Sequence, residues 1–154
     1  MPIPVSLPAV VDELNAISDD IYVYLNKETG ELLTVGNDEL VTVETGYEID
    51  DVPEWQLDLL AIAEKVHSSD DYIRLPTTLD IHEWTIMQEF CATVENGRKR
   101  RDLLAQIHGK GAFRKFKDAL DRHGLRDEWF AFHNAALTRI AADFLKEAGI
   151  PYTA

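Results

Sequence analysis

Eight residues between positions 98 and 117 have the types and spacing to hold an anion: Arg98, Arg100, Arg101, Lys110, Gly111, Arg114, Lys115 and Lys117. Gly109-Lys110-Gly111 stands just before a helical pattern. Glycines there let backbone N–H groups approach an anion, and the amino end of the helix dipole favours negative charge. Lys110 and Arg114 would then neutralise it. Lys99, Arg122 and Arg126 bring the stretch 98–126 to ten cations, against Asp102, Asp118 and Asp121. Such a segment suits a nucleic acid or an acidic protein surface, because phosphate binding needs cations gathered on one face. The pattern is neither the P-loop G-x-x-x-x-G-K-[ST] nor G-x-G-x-x-G after a strand. A plainer reading makes the glycines a tight interhelix turn and pairs the cations with acids elsewhere in the chain or in a homodimer mate.

Other chemistry is poorly supported. His82-Glu83 begins an H-E-x-x-H pattern, but position 86 is Ile86, so the second histidine is missing. His67, His82, His108, His123 and His133 have no ligand spacing. Asp19-Asp20, Asp50-Asp51 and Asp70-Asp71 fall at element ends, where acids cap helices. Cys91, between apolar Phe90 and Val94, reads as a buried thiol rather than a nucleophile. No G-x-S-x-G occurs. His133 sits in an aromatic stripe and reads as a satisfied core histidine. The residues therefore supply no catalytic set, no metal ligands and no cofactor motif. The remaining enzymatic alternative is a small phosphorylated or anionic substrate held at Gly109–Arg114, with His108 beside it.

Charge is unevenly placed along the 154 residues. Residues 1–96 hold 21 Asp/Glu and 3 Lys/Arg (−18), while residues 97–154 hold 7 and 12 (+5), giving the net −13. An acidic half keeps a chain soluble and repels phosphate at low salt, which argues against nonspecific DNA binding. With one cysteine, no intrachain disulfide can form. The start, MPIPVSLPAVV, lacks a cationic region and its apolar run is broken by prolines, unlike a signal peptide. No stretch reaches the ~20 apolar residues of a membrane span. The cytoplasm is the expected compartment.

The elements that must position the basic segment follow from periodicity and punctuation. Ser6 before Leu7-Pro8 predicts an N-cap and a helix over 8–17. Ile21–Leu25 and Glu31–Val35, joined by Lys27-Glu28-Thr29-Gly30, predict a hairpin, and Leu40–Glu44 is read as a third strand. Tyr22 and Tyr24 face away from Val23 and Leu25, which suggests a sheet covered on both sides. Helices are expected over 53–67, with Trp55, Leu59, Ile62, Ala63 and Val66 inward, and over 80–95, opened by a Thr77/Asp80 capping box. Three more follow at 98–108, 112–123 (Phe113, Phe116 and Leu120 inward) and 125–148. Trp55, Trp84 and Trp129, each near a helix start, read as core anchors. Tyr72–Pro76 is extended. The fold class is α+β, mostly helical: one domain over 1–154, with a short helix and β-hairpin or meander in 1–50 packed with five to six helices, most of them in 51–150.

Several segments together resemble uncharacterised protein family 0158, a bacterial family of unknown function. They are Tyr24-Leu25 with Thr29-Gly30-Glu31, Tyr72-Ile73-Arg74-Leu75-Pro76, and Asp80-Ile81-His82-Glu83-Trp84. The likeness continues through Gly109–Leu120 and Trp129-Phe130-Ala131-Phe132. It spans about residues 20 to 150. The family often has Tyr at the place of Phe130 and Arg at that of His133. The resemblance implies a class of protein and no activity or site residue. On the residues themselves, the expected function is a non-enzymatic binding or regulatory module that takes an anionic partner, protein or nucleic acid, on 98–126.

Overall fold

The structure, a computed structural model, describes residues 3–154. It is α+β and mostly helical, with seven helices of nine residues or more among the described residues and a three-stranded antiparallel sheet. The chain divides into two compact units, Met1–Asp80 with Ile140–Ala154, and Ile81–Arg139.

In the first unit, strand β1 (Val5–Ser6) leads into helix α1 (Leu7–Ala16). Ser6 caps α1 by accepting the Ala9 N–H at 3.3 Å, with Pro8 in the first turn as its fixed φ allows. Strands β2 (Ile21–Asn26) and β3 (Leu32–Gly36) form the hairpin. Its turn is closed by Asn26, whose Oδ1 accepts the Glu28 and Thr29 N–H groups, and by Gly30 at φ 78°. After β3 the chain turns helical. Leu40–Glu44, expected as a strand, lies in helix α2 (Asn37–Thr45). Its β-branched residues suggested a strand, but Asp38 and Glu39 sit in the favoured first turn, and Leu40 and Val43 recur at helical spacing against Val35, Ala63 and Val66.

Helix α3 (Glu54–Ser68) follows a 3-10 turn at Ile49–Asp51 and buries Leu60, Ala63 and Val66. Trp55 and Leu59 do not join that face. Trp55 is 70% exposed, so it is no core anchor. Nine-residue α2 spans about 14 Å and fifteen-residue α3 about 23 Å, so α2 cannot cover all of α3, and the α3 residues packed in their shared cluster, Ile62, Ala63 and Val66, lie in its second half. Strand β4 (Tyr72–Arg74) completes the sheet in the order β3-β2-β4. Tyr22 and Tyr24 pack toward the α2–α3 cluster, while Val23 and Leu25 are buried on the opposite face. The last strand, β5 (Tyr152–Thr153), pairs in parallel with β1.

The second unit begins where a continuous helix over 80–95 was expected. The helix is instead broken at His82, which separates the single turn α4 (Thr78–Ile81) from α5 (Glu83–Thr93). His82 is held at φ 57°, ψ 63°, the lone non-glycine residue with positive φ among the described residues. Helices α6 (Gly97–Gln106), α7 (Ala112–His123) and α8 (Arg126–Glu147) follow, and the division between units falls within α8. The core here is aromatic. Phe90, Phe116, Phe132 and buried Trp129 meet edge to face, with centroids 4.9–6.3 Å apart. Leu103, Ile107, Ala119 and Leu120 are buried as well.

Candidate anion-binding surface

The basic segment lies in the second unit, which carries 11 Lys/Arg and 8 Asp/Glu (+3), leaving 4 and 20 (−16) for the first. Asn96 caps α6, its Oδ1 accepting from the Arg98 and Lys99 N–H groups. The four cations that follow then diverge around the helix. Lys99 donates to the His123 carbonyl at 3.3 Å and Arg100 to the Val94 carbonyl at 2.9 Å, so both are spent in tying the unit together. Arg98 and Arg101 are exposed.

The turn between α6 and α7 needs its glycines for backbone reasons. Gly109 and Gly111 have φ of 78° and 73°, and an added Cβ would meet nothing within 4 Å at either. Three contacts hold this turn in place. Trp84 Nε1–H donates to the Ile107 carbonyl at 2.7 Å, its ring lying 6.1 Å from that of His108. Lys115 Nζ donates to the His108 carbonyl at 2.8 Å. Trp84 is therefore a half-exposed latch rather than the core anchor expected of it. No side chain caps α7, so its first-turn N–H groups stay open beside Lys110 and Arg114.

Phe113 departs from expectation too. It is 46% exposed, with Lys117 Nζ 4.6 Å from its ring centroid, while Ala119 takes an inward place with Phe116 and Leu120. Its position in the first turn puts it past the packed part of the helix. Further along, Phe130 is 51% exposed with the Arg126 guanidinium 5.7 Å from its ring centroid. Lys117, Arg126 and Phe130 border one notch of about 20 Å³, also lined by Leu120, Asp121 and Trp129.

Within this unit and among the described residues, the side chains of Arg98, Arg101, Lys110 and Arg114 make no hydrogen bond or ion pair. The ion pairs of the segment are local: Arg122 to Asp102 at 2.9 Å and Arg126 to Asp121 at 3.6 Å. Asp102 is a node. It accepts from His123 Nε2 at 2.7 Å, Arg122 Nη2 at 2.9 Å and Gln106 Nε2 at 3.3 Å, bracing α6 against α7. The His123 contact first, then Arg122, holds its carboxyl down at about 2. A second pair joins His133 Nε2 to both Glu83 oxygens at 2.9 and 3.1 Å, beside the Trp129 ring. His133 is thus satisfied by a carboxylate in its aromatic setting. Sequence spacing alone carries no signal for either pair. Among the described residues no His, Cys, Asp or Glu group is arranged to hold a metal ion, and no helix is long and apolar enough to cross a membrane.

The model of an uncharacterised protein family, UPF0158, matches residues 1–154. The chain belongs to that family. Neither a curated protein nor a solved structure matches it. Two larger cavities of this UPF0158 chain lie in its acidic unit. One of about 370 Å³ runs between Arg74-Leu75-Pro76 and the end of α8 at Ile140, Asp143, Phe144 and Glu147. The other, about 320 Å³, is bordered by Ser18, Asp19, Tyr22, Thr77 and Thr78. Arg74 lines both and is fixed by the tyrosines: its guanidinium lies 4.1 Å from the Tyr22 ring centroid and donates to Tyr24 Oη at 2.6 and 3.0 Å.

Proposed function

We propose that this chain is a non-enzymatic cytoplasmic binding module that takes an anionic macromolecule on the α6–α7 surface of its basic unit. The observation that carries the reading is the set Arg98, Arg101, Lys110 and Arg114, exposed and without ion-pair partners in a unit of net +3. Exposed cations without ion-pair partners leave their field available to an incoming anion. Next to Lys110 and Arg114, the uncapped first turn of α7 adds open N–H donors and the positive end of a helix dipole. Lys99, Arg100 and Lys115, spent on backbone carbonyls, shape the surface rather than bind through it. A cytoplasmic setting fits a chain whose one thiol is free and buried.

A chain of net −13 should pass through a polyanion column unless it carries a local basic surface. Retention on immobilised heparin at about 50 mM salt, released as salt rises, is the expected result. Arg98→Glu with Arg114→Glu should flow through with an unchanged circular dichroism spectrum. Flow-through of the unaltered protein, or retention untouched by the double reversal, overturns the reading.

A further inference from the structure

We propose that the anionic partner is a single-stranded nucleic acid whose bases stack on Phe113 and Phe130; this deepens the reading above and rests on it. The ground is a juxtaposition that charge alone does not explain. One half-exposed phenylalanine is ordinary on a soluble protein. Here two occur in the basic unit, each with a cation over one face of its ring: Lys117 at 4.6 Å from the Phe113 centroid, and Arg126, which also pairs with Asp121 at 3.6 Å, at 5.7 Å from that of Phe130. Lys117 links them, since it also borders the notch with Phe130 and Arg126. Flat rings flanked by positive charge are what a base and its phosphate require together: the ring takes the π-face and the cation takes the backbone.

Two competing partners fit less well. An acidic protein segment would satisfy the cations, but an anchored protein contact seats a side chain in a pocket. The notch between these residues holds about 20 Å³, roughly the space of one water. A stacked base needs no pocket. A nucleic-acid duplex would satisfy the cations too, but its bases are already stacked and paired, leaving nothing for Phe113 and Phe130 to contact. Unpaired bases satisfy both halves of the surface.

The test is an anisotropy titration of a labelled oligouridylate of about a dozen nucleotides, against a duplex of equal length, at about 100 mM salt. The single strand is expected to bind about tenfold or more tightly than the duplex. Phe113→Ala and Phe130→Ala should each weaken it about tenfold while heparin retention stays unchanged, because one base–aromatic stack is worth about that much. Lys117→Gln with Arg126→Gln should flatten the salt dependence by about 1.4 in log K per log salt, because each single-strand phosphate left without its cation takes about 0.7 from the slope. A 2-aminopurine base in the oligonucleotide should be quenched on binding by the unaltered protein. Equal binding of single strand and duplex, or phenylalanine variants that bind like the parent, overturns the proposal while heparin retention keeps the wider reading. Salt-sensitive self-association with no oligonucleotide bound also overturns it, in favour of a second copy as partner. Loss of heparin retention by the unaltered protein removes both.

Discussion

Replacing Asp102 by Asn tests the brace beneath the basic surface. Asp102 accepts hydrogen bonds from His123, Arg122 and Gln106, and its carboxyl is held at about 2 against an ordinary 3.8. A folded-state pKa below the unfolded one means that the carboxylate adds stability above the unfolded value. That stability is lost as pH falls through the folded value. The full displacement would correspond to about 2.4 kcal/mol at about 1.36 kcal/mol per unit. The side chain is 33% exposed, however, and water screens its partners, so about 1 kcal/mol should survive. Urea unfolding at neutral pH should show Asp102→Asn about 1 kcal/mol less stable with an unchanged slope. Repeated toward about pH 2, the gap should close as the native carboxyl is protonated. A gap as large in acid as at neutrality, or none at neutrality, would refute this account of the node.

Two further outcomes follow from the backbone and the core. His82 sits at φ 57°, a region costing a non-glycine residue about 1–2 kcal/mol, partly offset by glycine's greater chain entropy. His82→Gly should therefore stabilise the protein by about 0.5–1 kcal/mol in the same urea assay, and a loss of stability would show that the His82 side chain holds the break between α4 and α5. Cys91 is fully buried, and burial pushes its thiol up to about 11. At neutral pH it should resist a thiol reagent in the native protein and react at once in urea; rapid native labelling would contradict the packing of α5.

Elements announced by local chemistry were legible in the sequence. Ser6 before Pro8, Gly30 in the hairpin turn, and Gly109 and Gly111 before α7 each fix a boundary through one residue's own geometry. Inward faces were harder to read. Trp55, Trp84 and Phe113 sit near the starts of α3, α5 and α7, on faces that periodicity marks as apolar. Periodicity gives a direction around the axis but not how far along it a neighbour extends. At Leu40–Glu44, β-branched propensity competed with an acidic first turn, and tertiary burial of Leu40 and Val43 favoured the helix. In the basic segment, residue types identified every cation but not its use. Arg100 reaching the Val94 carbonyl and Arg101 left exposed are adjacent and alike in sequence. The pairs Asp102–His123 and Glu83–His133 join residues far apart in the chain, where no single-sequence pattern reaches.

The parallel pairing of Val5–Ser6 with Tyr152–Thr153 has a consequence for the order in which the molecule can be assembled. The acidic unit takes its first strand from one end of the chain and its last from the other. Its closing contact joins residues far apart in sequence and so carries a larger loop-closure entropy than contacts between sequence neighbours. In the basic unit, by contrast, α5 meets α6 and α6 meets α7, each its neighbour in sequence. During synthesis the surface formed by α6 and α7 can be gathered from residues that have already emerged, while the strand completing the acidic unit has yet to be made.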